Sequence, residues 1–407
     1  MTSDRSAAKA SLGGQAVSIA IGLGASQLLT AVIFVAAARA SSPQNFGVVA
    51  AAVSLGLVVA GVVDFGTSNM WVRDLANGNS HIGEVSARAT GKICICVLIF
   101  GVSGLVTIAG GVDWRYLAAC PIGISFLLKQ TADVGLRAGS RGHHYAISGL
   151  IDKATAFALF LTLLALEAPA DLAMCIALSA GPIFGGAFSW IVTSPSLRVT
   201  PRSSFLKFWP WRRALGYGSY SSAISLQNLD VSLLALFGGP QSAGLYGAVT
   251  RWTQPMGMVS TAVSSASIPY IAKAPSNAAA IAQVRRTYWI LGLAILACVC
   301  VASFAPVLVP LLVGDAYSGS VGILQILALG TIPAVLNQPM AVFLQARHFD
   351  RFVSVVIGIG VGVQLTSLIG LIPLMGALSA AVAFLLAQIV IFSGFSAKFA
   401  RLRRQMM

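Results

Sequence analysis

The sequence predicts an all-α integral membrane protein of about twelve transmembrane helices, and three observations predict it. Apolar residues make up 57% of the 407-residue chain and charged residues only 9%, against ~25% charged in a soluble domain. The mean hydropathy is +0.84, and with the 41 glycines included about two-thirds of the chain suits hydrocarbon, enough for twelve spans of ~20 residues. The apolar residues also fall in runs separated by turn formers or charge: Ser41-Ser42-Pro43, Gly110-Gly111-Val112-Asp113, Gly238-Gly239-Pro240 and Gly314-Asp315. Folded as soluble domains, such a chain has too few polar side chains to cover its outside. A soluble enzyme, a secreted disulfide scaffold and a disordered chain are therefore excluded.

Taken in order, the runs place helices at about 12–38, 46–70, 88–110, 115–137, 146–166, 171–192, 214–238, 243–268, 288–313, 320–344, 352–372 and 374–397. The first run is longer than a signal-peptide core and reads as an uncleaved first span. The chain carries 26 basic and 12 acidic residues, a net charge of +14. With residue 1 on the cytoplasmic side, 23 of the 26 bases fall in inner segments or the helix turns facing them. Arg39 and Arg115 are left on the outer side, and Arg251 lies inside a span. Positive charge marks the cytoplasmic side, so both termini are expected there. No Lys/Arg tract is interleaved with aromatics as a nucleic-acid groove requires, so no nucleic-acid partner is expected.

The remaining chemistry is sparse. The six cysteines all lie in spans, and the two Cys-x-Cys pairs place their sulfurs about 200° apart on a helix, unsuited to one ion. The four histidines lie in inner loops. No metal site and no cofactor is expected. No Ser/His/Asp set, phosphate-binding loop or acidic couple appears at a usable spacing. The largest inner connection, 193–213, has five bases and no acid, which argues against metal-dependent sugar transfer and hence against an enzyme.

An internal repeat organises the chain. Residues 43–51 read Pro-Gln-Asn-Phe-Gly-Val-Val-Ala-Ala and residues 240–248 read Pro-Gln-Ser-Ala-Gly-Leu-Tyr-Gly-Ala, an offset of 197. Each follows a long apolar run and opens the next. Leu136-Arg137-Ala138 has a looser partner in Leu344-Gln345-Ala346, both entering basic inner loops. The plan predicted is two six-helix halves, 1–195 and 214–407, joined by a basic cytoplasmic linker, 196–213. Two such halves without an ATP-binding motif suggest a secondary transporter with a central cavity.

Several residues carry a family resemblance: the turn Pro43-Gln44-Asn45-Phe46-Gly47, the element Val63-Asp64-Phe65-Gly66, and Trp71-Val72-Arg73-Asp74. They are repeated in theme by Leu226-Gln227-Asn228-Leu229-Asp230, Gly238-Gly239-Pro240, Ala243-Gly244-Leu245-Tyr246 and Ile268-Pro269-Tyr270. On these, the chain resembles the polysaccharide (Wzx-like) flippases, a branch of the superfamily that also holds multidrug-and-toxin extruders and lipid II flippases. Val231 follows Asp230 where that family often has arginine. The resemblance implies a multidrug-extruder-like fold in a bacterial inner membrane and alternating access. It implies a polyprenyl-pyrophosphate-linked oligosaccharide turned from the cytoplasmic to the periplasmic leaflet, with polysaccharide polymerase or assembly proteins as partners. The alternatives are a cation-coupled multidrug exporter of the same fold and a non-transporting membrane partner in polysaccharide assembly.

An ionisable side chain in hydrocarbon costs at least ~2.5–3.5 kcal/mol, so each needs a partner or a role. Asp230 and Arg251 lie at matched depths on either side of an outer hairpin. They are expected to pair, either as a cavity couple exchanging H⁺ or Na⁺ or as a static helix–helix bridge. Gln227 and Asn228, within a turn of Asp230, suit sugar hydroxyls or interhelical packing. Lys129, Asp133 and Arg137 recur every four residues on one helix. That row either receives a pyrophosphate from the inner leaflet or is a snorkelling helix end. Asp64 sits at a span boundary, as a cap or a coupling residue. Gln27, Gln130, Asn337 and Gln338 are uncharged polar groups within spans that suit a sugar path. Asn337-Gln338-Pro339, after Pro333, is expected to break its span.

Overall fold

The computed structural model describes residues 12–257, 259–260, 264, 288–347 and 349–404. The end of the predicted span 243–268, Ile268-Pro269-Tyr270, and the bases Arg5, Lys9, Lys273, Arg285 and Arg286 lie outside the described residues. Among the described residues there is no strand. Helix α1 runs Leu12–Arg39 and α2 Pro43–Asp64. Ser42 is extended and its Oγ accepts the Asn45 N–H at 3.3 Å, while Pro43 takes the first helical position, where its missing N–H costs nothing.

The predicted span 46–70 is two helices rather than one. Phe65 and Gly66 both adopt left-handed backbone (φ 48° and 66°), which ends α2 and turns the chain into α3, Thr67–Ala76. There follow α4 (Ile82–Ala109), a 3-10 turn (Trp114–Ala118), α5 (Ala119–Ala138), α6 (Gly142–Ala165) and α7 (Ala170–Val192).

The predicted span 214–238 is interrupted as well. Helix α8 covers Leu215–Gln227, the chain breaks at Asn228 and Leu229, and Asp230 opens α9, Asp230–Thr250. The turn expected at Gly238-Gly239-Pro240 is present: Gly239 is non-helical (φ 83°, ψ 160°), a conformation only glycine holds without strain, and its bend divides Asp230–Thr250 into two helical arms. Helices α10 (Tyr288–Leu312), α11 (Ser320–Ala346), α12 (Asp350–Met375) and α13 (Leu378–Arg404) complete the described bundle. The break expected at Asn337-Gln338-Pro339 is absent: α11 is continuous through Pro333 and Pro339. Each proline removes one backbone bond, and packing against α10 and α13 holds the rod together.

Eight of these helices are long and apolar enough to cross a membrane. The protein is a multi-pass membrane protein. Helix α2 is buried along most of its length, whereas α4 turns Leu98, Val102, Leu105 and Val106 outward as a lipid-facing wall. The core is small-residue packing of the kind membrane helices use. Its closest approach is between the two repeated segments. A methyl group on Gly47 would overlap the carbonyl oxygen of Pro240, and one on Gly244 would overlap that of Pro43. The contact is reciprocal, with each partner 197 residues from its counterpart.

The connection 196–213 is docked against the bundle rather than loose. The Thr200 N–H donates to Ser86 Oγ at 3.2 Å, Arg202 N–H to Thr90 Oγ1 at 3.0 Å, and Trp211 Nε1 to the Val63 carbonyl at 2.8 Å. Its Leu206 and Trp209 stay exposed beside five bases, the composition of a membrane interface.

Candidate functional site: a polar chamber and its flanking charge clusters

The break before Asp230 and the bend at Gly239 open a cavity of about 490 Å³ between N-terminal α1 and α2 and C-terminal α8, α9, α11, α12 and α13. That lies within the ~300–1,000 Å³ of ordinary ligand sites. Seven sequence-predicted residues line it: Gln27, Gln227, Asn228, Asp230, Arg251, Asn337 and Gln338. Lys129, Asp133, Arg137, Asp64 and Gln130 do not.

Asp230 and Arg251 share the chamber without forming the expected ion pair. Asp230 Oδ2 accepts the Tyr246 hydroxyl at 2.5 Å, and its Oδ1 accepts the Val231 N–H at 2.7 Å. The bend at Gly239 brings Tyr246 back over Asp230 and carries Arg251 past it. The Arg251 guanidinium lies 4.9 Å from the Phe34 ring centre, its Nε is buried without a hydrogen-bond partner, and no carboxylate among the described residues stands within ion-pair distance. A guanidinium held over an aromatic ring gains a cation–π contact in place of a carboxylate partner.

Sequence reasoning missed three chamber carboxamides: Gln254, Gln364 and Gln388. The signal that picks out Gln27, an amide inside an apolar run, marks Gln364 and Gln388 equally. Asn337 Nδ2 donates to the Gln388 backbone carbonyl at 3.2 Å and to its Oε1 at 3.1 Å, and Gln364 Nε2 donates to the Gln227 carbonyl at 3.1 Å. Ser54 Oγ donates to the Asn228 carbonyl exposed by the helix break. Thr250 and Thr331 add hydroxyls. The polar part of the lining is thus hydrogen-bonding and almost uncharged, and it is set among apolar side chains such as Phe34, Ile224, Leu327 and Phe395.

The other predicted residues build clusters inside the N-terminal helices. Lys129 Nζ meets Asp133 Oδ2 at 2.8 Å, and Ser148 and Ser189 donate to Asp133 Oδ1 at 3.2 and 2.5 Å. Gly185 and Gly186 of α7 let α5 come this close, since a side chain at Gly186 would press on the Lys129 backbone. Arg137 leaves the row and bonds Asn69 Oδ1 of α3 at 2.7 Å, with its guanidinium 5.6 Å from the Tyr145 ring. Gln130 lies beside this cluster in sequence, its Oε1 buried without a partner.

Asp64 closes a pair the sequence did not reveal. It accepts from Lys92 Nζ at 2.7 Å and from Ser68 Oγ at 2.5 Å, and Lys92 sits 4.4 Å from the Trp71 ring. Lys92 is fully buried. Both charges are matched, which makes Asp64 a clamp across the α2–α3 turn. We expect Lys92→Met to destabilise the protein by about 3–5 kcal/mol by stranding Asp64, and the double change Asp64→Leu/Lys92→Met to recover most of it. Thermal denaturation in detergent reads both.

On the outer loops, Arg115 grips Asp113 at 2.6 Å and Asp171 at 3.2 Å. The hydrogen bond from Arg115 holds the Asp113 carboxyl below its ordinary value. A lowered carboxylate contributes stability above its unfolded pKa, lost as pH falls through the folded value. The Arg115→Gln protein should therefore be less stable than wild type at neutral pH, by at most ~1 kcal/mol for so exposed a pair. Its deficit should vanish in strong acid, as an acid-denaturation curve would show.

A polytopic helical bundle closed around a polar chamber between its N- and C-terminal helices is the architecture of the multidrug-exporter and lipid-flippase fold. The chain belongs to the polysaccharide biosynthesis protein family, whose model matches residues 36–322. Among solved structures it is similar to the lipid II flippase MurJ in an inward closed conformation, with TM-score 0.73 and 13% identity over 95% of this chain and 90% of that one. It is also similar to an inward-facing multidrug resistance MATE family transporter, with TM-score 0.64 and 14% identity over 96% and 98% of the two chains. The eukaryotic MATE transporter AtDTX14 gives TM-score 0.63 and 14% identity over 97% and 99%. No curated protein sequence matches the chain.

Proposed function

We propose that the protein is a flippase of the bacterial inner membrane. It would carry a polyprenyl-diphosphate-linked oligosaccharide, an exopolysaccharide or lipopolysaccharide repeat unit, from the cytoplasmic to the periplasmic leaflet by alternating access of two six-helix halves, 1–195 and 214–407. The observation that carries this reading is the chamber itself. Arg251 offers an anion anchor without a carboxylate of its own, and the surrounding carboxamides and hydroxyls suit a sugar. The family, matched over residues 36–322, is one of polysaccharide biosynthesis. The reciprocal contact of Gly47 with Pro240 and Gly244 with Pro43 supports a pseudo-symmetric pair of halves sealed on the side the basic residues leave as periplasmic. Asp230, buried beside Tyr246, is the group we assign to H⁺ or Na⁺ coupling. The lipid tail would stay in the bilayer while the head group crosses.

A strain lacking the protein should accumulate the lipid-linked repeat unit on the cytoplasmic leaflet and lose surface polymer. Unchanged glycolipid together with hypersensitivity to cationic drugs would instead identify a multidrug exporter.

A further inference from the structure

The chamber's chemistry goes further than the presence of a sugar. Two of its carbonyl oxygens, Asn337 Oδ1 and Gln364 Oε1, are buried without any hydrogen-bond partner. Asn337 and Gln364 are 6% and 1% exposed and both line the cavity. Their orientation is fixed by chemistry: each amide nitrogen is committed to a backbone carbonyl, of Gln388 and of Gln227, which can only accept. What remains is a pair of neutral acceptors. A buried acceptor left unpaired is costly, and a ligand that supplies a donor removes that cost.

The charge balance points the same way. Among the described lining residues Arg251 is the only base and Asp230 the only acid. With the guanidinium engaged by the diphosphate, no cation is left among the described lining residues, and the one acid, Asp230, is already satisfied by Tyr246 and the Val231 N–H. A carboxylate brought in on a sugar would face the Asp230 carboxyl group and two carbonyl dipoles, with no cation left to neutralise it. In a chamber walled by protein such repulsion is not screened as it is in bulk water.

We propose that the chamber selects uncharged sugars, whose hydroxyl and acetamido N–H groups donate to Asn337 and Gln364, and rejects glycans whose chamber-held sugar is a uronic acid or another carboxylate. This rests on the flippase function proposed above and adds its specificity. The logic is that of any site built to receive a donor: an analogue that brings an acceptor instead leaves buried groups unpaired.

The test uses the full chain in lipid nanodiscs and two probes, undecaprenyl diphosphate bearing N-acetylglucosamine linked to glucose, and the same lipid with glucuronate in place of glucose. Binding is read by native mass spectrometry. The neutral glycolipid should bind at least about tenfold more tightly, a gap of ~1.4 kcal/mol. Gln364→Arg should narrow or reverse the ratio by supplying the missing cation. Asn337→Leu, which preserves an uncharged site, should weaken the neutral glycolipid about tenfold, with gel filtration confirming folded protein. Equal binding of the two glycolipids, tighter binding of the glucuronate form, or undiminished neutral binding in Asn337→Leu would overturn the selectivity alone. Binding of neither glycolipid would overturn the flippase function and the selectivity together.

Discussion

Replacing either Gly47 or Gly244 by valine should abolish transport while leaving the other helix contacts intact. Each glycine lies against the carbonyl oxygen of a proline in the opposite repeat, Pro240 or Pro43, so the added carbons must push α2 and the distal arm of α9 apart. Overpacking of this kind costs ~1–3 kcal/mol. It is felt only in the state in which the two segments touch, so it shifts the conformational balance away from that state. The consequence is readable from outside the cell. A cysteine at Thr250, on the chamber wall, should be shielded from a membrane-impermeant thiol reagent in the wild-type background and become labelled in the Gly244→Val background. Valine at both positions with normal transport would show that the segments need not meet.

Arg251→Gln should cost nearly as much. A hydrogen bond to a charged group contributes ~1.5–3 kcal/mol, which is roughly a 10- to 150-fold change in affinity for the diphosphate head. The substitution removes no partner from another carboxylate, because Arg251 has no ion-pair partner among the described residues, so abundance should change little. That separates it from Lys92→Met, whose effect is on folding. Asp230→Asn keeps the shape of the Tyr246 contact and removes the charge. It should lower transport more than protein abundance. Normal polymer output with stable Asp230→Ala protein would reduce Asp230 to packing.

How much of this was legible in the sequence follows from what apolar runs and charges can and cannot encode. Composition and spacing gave the membrane class, the order of the helices and the repeat whose two copies turn out to pack on each other. They also gave seven of the chamber's ten charged and carboxamide residues, because such a group in hydrocarbon stands out against its surroundings. Backbone irregularity was placed only in part: the turn at Gly238-Gly239-Pro240 is there, bent at Gly239. The breaks at Phe65-Gly66 and Asn228-Leu229 occur within apolar runs, where hydropathy carries no signal, while two prolines in α11 are absorbed without a break. Pairing was the other gap. Asp230 and Arg251 were matched by depth, but the rotation imposed by the bend at Gly239 decides which side chains meet, and it chooses Tyr246. Lys92 passed as an inner-boundary base because its partner Asp64 is 28 residues away in sequence.

The central claim is that the chamber moves a lipid-linked glycan across the bilayer, and reconstitution tests it most directly. Full-length protein and undecaprenyl diphosphate-linked N-acetylglucosaminyl-glucose are placed in sealed liposomes, with a membrane-impermeant glycan-oxidising reagent outside. If the claim holds, wild-type protein exposes the glycan of the inner leaflet to the reagent, and Arg251→Gln and Gly47→Val protein in the same orientation do not. If reconstituted, folded wild-type protein exposes no more glycan than protein-free liposomes under either an imposed H⁺ or Na⁺ gradient, the claim is wrong.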